Sequence, residues 1–160
     1  MNLESTLEDL EAQGYFASQL KPEQQLSATT CSLVRLSFES ETADKYLASP
    51  ILGKNFIGGF IANQKSQEWL AINLKTISHI ENLGGAKLLE TAAKLMDILE
   101  QHLLQVPVEI GLKQIRVIGK VIAIQGNCLC LATVDNRLFV VPESSICDLV
   151  VENLSRHFKL

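Results

Sequence analysis

Two stretches of this sequence repeat one another without a gap, and a repeat limits the architectures open to a chain of 160 residues. Residues 56–72 (FIGGFIANQKSQEWLAI) laid on 117–133 (VIGKVIAIQGNCLCLAT) share seven of seventeen positions. These are Ile57/Ile118, Gly58/Gly119, Ile61/Ile122, Ala62/Ala123, Gln64/Gln125, Leu70/Leu131 and Ala71/Ala132. The same offset of 61 sets Leu47 on Val108 and Ile51 on Leu112. Further on the offset becomes 69, with Ile72-Asn73 on Val141-Pro142, Ile77 on Ile146 and Ile80 on Leu149. The first copy is therefore eight residues shorter, and the missing piece falls after Gln64. A duplicated strand-turn-strand unit with a helix between copies is the economical reading, and chance likeness of two Ile-rich strands is the alternative. The paired Gly58 and Gly119 permit a sharp bend inside a long strand, by which one strand serves both sides of a tiny barrel. Such a barrel is just filled by its own side chains.

The flanking segments fit around those copies. Leu3, Leu7 and Leu10 stand at helical spacing over 3–13, with Gly14 as a stop and Lys21-Pro22 as a break. Residues 31–38 alternate Val34, Leu36 and Phe38 as a strand would, while ETADKYLA after them reads more helically. A helix is predicted from about Gly85 to Gln105, with Leu88, Ala92, Leu95, Leu99 and Leu103 in one stripe and Pro107 stopping it. Its Gly-Gly-Ala-Lys opening lacks the spacing and closing Lys-Ser/Thr of a phosphate-binding loop. Val108, Ile110 and Leu112 alternate, and β-type runs follow over 115–124, 128–134 and 138–141, with a tight turn at Gln125-Gly126-Asn127. The expectation is a mainly β chain with helices (α+β), built of two small β-barrel units. Its parts are a helical leader 1–44, a shortened first unit 45–83, a linker helix 84–105, a second unit 106–151 and a tail 152–160.

Composition narrows the functions. With 47% apolar and 20% charged residues the chain is neither disordered nor fibrous. Aromatics at 6% supply a poor stacking platform for single-stranded nucleic acid. The net charge of −4 divides into −6 over residues 1–44 and +2 over the rest, which is not the basic footprint of a nucleic-acid binder. No apolar run approaches the ~20 residues that span a bilayer, and the acidic start is unlike a signal peptide, so a cytoplasmic protein without membrane contact is expected. Cys31, Cys128, Cys130 and Cys147 then read as reduced, core-filling thiols. A zinc site would need two further ligands, and His79, His102 and His157 show no paired spacing around them. Ser78-His79 is a lone dipeptide whose side chains face opposite ways on a strand. The sequence thus offers no catalytic, cofactor-binding or metal-ligating set, and an enzyme is not expected.

The order of parts resembles the Sm-like (LSM-type) proteins: a turn, a long strand bent at Gly, then short strands ending in an apolar segment. It is more closely similar to two-copy Sm-like proteins of actinobacteria, which open with a DLEAQ-type helix, here Asp9-Leu10-Glu11-Ala12-Gln13. The resemblance implies two Sm-like/SH3-like barrels joined by a helix. Sm proteins that grip RNA carry an Asp and an Asn around the hairpin after the long strand and an Arg-Gly pair near the last strand. Here the hairpins read Gln64-Lys65-Ser66-Gln67-Glu68 and Gln125-Gly126-Asn127, and the final segments read SHIENL and SICDLV, so those residues do not carry over. Asn127 in a tight turn is placed there for backbone reasons. The reading is a non-catalytic binding or assembly module that contacts protein through sheet edges, with an RNA binder as the alternative. Trp69, flanked by Leu70 and Ile72, is read as a structural, barrel-capping aromatic. Self-association as a twofold dimer is expected through an edge left open by the shortened first copy, unless segment 1–44 covers it.

Overall fold

A computed structural model describes residues 31–62, 68–85 and 87–152; the predicted helix over 3–13, residues 63–67, Ala86 and the tail after Glu152 lie outside the described residues. The strands are β1 (Leu33–Phe38), β2 (Lys45–Leu52), β3 (Phe56–Ile61), β4 (Trp69–Asn73), β5 (Ile77–Gly84), β6 (Leu89–Glu90), β7 (Pro107–Gly111), β8 (Arg116–Gln125), β9 (Cys128–Thr133), β10 (Leu138–Pro142) and β11 (Asp148–Val151). One α-helix, α1 (Leu95–His102), and two 3-10 helices, Leu74–Thr76 and Glu143–Ser145, complete the described elements.

All eleven strands belong to one sheet, in the order β10-β9-β8-β7-β11-β4-β3-β2-β1-β5, with β6 added in parallel to β2. This corrects the expectation of two closed barrels joined by a helix. The reason is the joint between β11 and β4, which pair antiparallel from Asp148↔Ile72 to Val151↔Trp69 and merge the strands into one open sheet. One motif occurs twice in that order. Four strands form an antiparallel meander, a 3-10 helix follows, and a fifth strand returns to pair with the first, as β1–β5 and again as β7–β11. The register read from sequence is corrected in part. An offset of 61 lays β3, third in its block, on β8, second in its block. An offset of 69 lays β4 on β10, 74–76 on 143–145 and Ile80 of β5 on Leu149 of β11.

The expected leader 1–44 also needs revision, because it contains β1. Val34 and Leu36 are fully buried, and β1 lies between β2 and β5. The alternation Val34-Leu36-Phe38 is thus that of a half-buried strand. The linker helix is shorter than its apolar stripe suggests. Three acceptors fix its start: the Lys94 N–H donates to Asp97 Oδ2 at 2.9 Å, Leu95 N–H to Asn55 Oδ1 at 3.0 Å and Met96 N–H to Glu143 Oε2 at 3.2 Å. These satisfy donors that a helix cannot satisfy itself. Upstream, Leu89 and Glu90 are drawn into extended pairing with Ile51 and Leu52.

Two hydrophobic clusters lie against the sheet. One gathers Val34, Leu36, Leu47, Ile57, Leu70 and Ile72 inside the first block. The other joins α1 (Leu95, Met96, Ile98, Leu99) to the second block and reaches Trp69, Phe56 and Ala71 of the first. Trp69 is 2% exposed, which agrees with a structural role. Gly58 and Gly119 have a different use from the bend predicted for them. A Cβ at Gly58 would lie 2.5 Å from Trp69 Cζ2, and one at Gly119 would lie 2.5 Å from the Ala132 carbonyl oxygen. Both glycines make room for a close neighbour.

Candidate functional site

The residues singled out in the sequence do not converge. His79 is exposed on β5, its Nδ1 3.2 Å from Ser78 Oγ, while Glu81 two residues on is engaged by Arg35. His102 ends α1, and His157 lies outside the described residues. The four cysteines are free thiols; Cys31 and Cys130 are buried, Cys128 and Cys147 half-buried. Among the described residues no group of three His, Cys, Asp or Glu could hold a metal ion. Asn127 sits in the β8–β9 turn, where its carbonyl accepts the Glu143 N–H at 2.8 Å. No described helix is long and apolar enough to cross a membrane.

What the fold does present is two sheet ends. β10 pairs with β9 over Leu138↔Ala132 to Pro142↔Cys128, and β5 pairs with β1; among the described residues the outer edge of each has no partner strand. The open edge predicted beside the shortened hairpin is not the free one, since β4 is paired on both sides, by β3 and β11.

The β10 end is apolar as well as unpaired. Leu138 is 62% and Val140 60% exposed, and Ile118 and Ile122 on β8 add to the same outward side. No charged residue falls within Leu138–Pro142. Arg137 precedes it, its guanidinium 5.3 Å from the Phe139 ring centre and its Nε 2.8 Å from Asp135. The Thr133 hydroxyl and Arg137 together hold the Asp135 carboxyl below its ordinary range, the hydroxyl foremost. The β5 end is more polar, with Ser78, His79 and Asn82 exposed and Ile80 turned toward the first cluster.

The internal joint gives these ends a meaning. With the offset of 69, Leu138 and Val140 stand where Trp69 and Ala71 stand in the first block. Trp69 and Ala71 are buried by the second block and α1, whereas Leu138 and Val140 are bare. The sequence carried one usable sign of this, four successive apolar residues before Pro142, but alternation alone does not tell an edge strand from an inner one. No protein-family model matches the chain, and no curated protein matches it.

Proposed function

We propose that this protein is a non-catalytic assembly module that joins copies of itself end to end, the β10 edge of one chain pairing with the β5 edge of the next. The observation that carries the reading is the β11–β4 joint inside the chain. Carried forward by the offset of 69, its register becomes His79↔Val141, Ile80↔Val140, Glu81↔Phe139 and Asn82↔Leu138 between chains. An unpaired apolar edge strand without charged residues is a ready template for another strand. Two different edges meeting head to tail close into a ring if the rotation allows and run on as a filament if it does not. The repeated strand order also supports the internal duplication read from the sequence.

A register-specific cross-link tests this. Asn82→Cys and Leu138→Cys chains, mixed and mildly oxidised, should form a heterodisulfide, and sedimentation velocity of the wild-type chain should show species above the monomer. A twofold β10–β10 dimer would instead cross-link Val140→Cys to itself, and a strict monomer at tens of micromolar would remove the proposal.

A further inference from the structure

The seam between the two strand blocks carries an open cavity of about 400 Å³, within the usual size range of small-molecule sites. Phe38, Ile72 and Leu112 give it an apolar lining. Lys45 at the start of β2 and Lys113 in the β7–β8 turn also line it, from different blocks. Both lysines are exposed, and among the described residues neither forms an ion pair. The described arginines differ: Arg35, Arg116 and Arg137 are all held by carboxylates.

None of the described acidic neighbours forms an ion pair with either lysine. Asp148 receives Arg116 Nη2 at 2.8 Å and Nη1 at 3.3 Å, and so is turned toward an arginine that Glu109 shares at 3.4 Å. Glu39 is the other carboxylate among the lining residues. Ser40 and Thr42 contribute hydroxyls, their oxygens 2.6 Å apart. Two ammonium groups at one partly apolar cavity favour an anion, and the apolar lining favours one with a hydrocarbon body.

We infer that this cavity binds a small organic oxyanion, a carboxylate or phosphate monoester on a compact apolar body. The body rests on Phe38, Ile72 and Leu112, and the head group meets Lys45 and Lys113. Inorganic phosphate forgoes the apolar contacts, and a neutral analogue forgoes the lysines. The inference stands apart from end-to-end assembly, because every residue it uses belongs to a single chain.

The full chain is titrated calorimetrically with benzoate, phenyl phosphate, benzyl alcohol and inorganic phosphate. Saturable binding of benzoate or phenyl phosphate is expected, and which of the two binds more tightly identifies the head group. Benzyl alcohol and inorganic phosphate should each bind at least ~10-fold more weakly. The Lys45→Gln/Lys113→Gln chain should also lose at least ~10-fold, with its melting temperature unchanged because both side chains are exposed. Bound anion should slow alkylation of Cys147, which lines the cavity, relative to Cys128, which does not. No saturation up to roughly 10 mM overturns the inference. So does undiminished binding by the double variant, or protection that spares Cys147.

Discussion

Replacing Gly58 by Ala puts one methyl group where the structure has least room. The new Cβ would lie 2.5 Å from Trp69 Cζ2, closer than real carbon–carbon contacts come, and at a tight 3.1 Å from Cε2 and Cη2. The ring has nowhere easy to go. It is 2% exposed and meets Phe56 edge-on, ring centres 6.4 Å apart at 66°, in an interior that tolerates little extra volume. Overpacking of this kind costs ~1–3 kcal/mol. At ~2–4 °C per kcal/mol for a chain of this size, Gly58→Ala should melt several degrees below wild type. A double-mutant cycle isolates the contact. Trp69→Phe alone should cost less than the ~3–5 kcal/mol of full truncation to Ala, because a smaller ring still fills part of the site. In the double variant the clash is relieved, so its loss should fall short of the sum by ~1 kcal/mol or more. Chemical denaturation of all four chains with fluorescence and circular dichroism reads the values. Losses that add to within ~0.5 kcal/mol would show that Gly58 and Trp69 do not crowd each other, and the account of this glycine would fail.

Other expectations follow from single features. Asn55→Ala removes the acceptor of the Leu95 N–H and should cost ~1 kcal/mol, with faster amide exchange at the start of α1; unchanged exchange there would mean the helix needs no help from the β2–β3 turn. Val140→Lys places a charge on the bare β10 face, so it should abolish the larger species in sedimentation while stability changes by less than ~0.5 kcal/mol, and persisting oligomers would point to another contact. The Asp135 carboxyl titrates below its ordinary 3.8, so its support of the 133–137 turn is complete above that pH and is lost only as pH falls through the lower folded-state value. Amide shifts of residues 134–137 followed by NMR should therefore stay flat down to about pH 4 and move below it; a midpoint above 3.8 would contradict the Thr133 and Arg137 contacts.

Local pattern and long-range pairing were unequally legible. The alternation of Val108, Ile110 and Leu112, the β-type run over 115–124 and the Gln125-Gly126-Asn127 turn all announced strands, the first because a half-buried strand writes its period of two into the residues. The helix over 85–105 was over-read, since Leu88 and Leu89 fit a helical stripe as well as an extended segment that packs beside β2. The offset of 61 misled for a related reason. Ile-Gly-x-x-Ile suits any strand with a close neighbour, and Gly58 and Gly119 yield to different neighbours, an indole ring and a carbonyl oxygen. Strand order depends on partners far away in sequence, so one open sheet could not be told from two barrels. The two ends of that sheet were hidden for the same reason, and the cavity at Lys45 and Lys113 needs residues from both blocks at once.

The place of β11 has a consequence for synthesis on the ribosome. The first block has all five of its strands once Gly84 has emerged, but the strand that covers β4 ends at Val151. At ordinary elongation rates the interval is on the order of ten seconds, with the β4 edge bare and Trp69 and Ala71 still lacking the second block. Neighbouring ribosomes on one message would carry such half-finished chains side by side. Each would offer the β4 edge that a finished chain keeps for its own β11, so wrong pairing between nascent chains competes with correct closure during that interval. Slowing translation after Gly84 has emerged and before Val151 has emerged lengthens it and should raise the aggregated fraction, whereas slowing before Gly84 emerges should not.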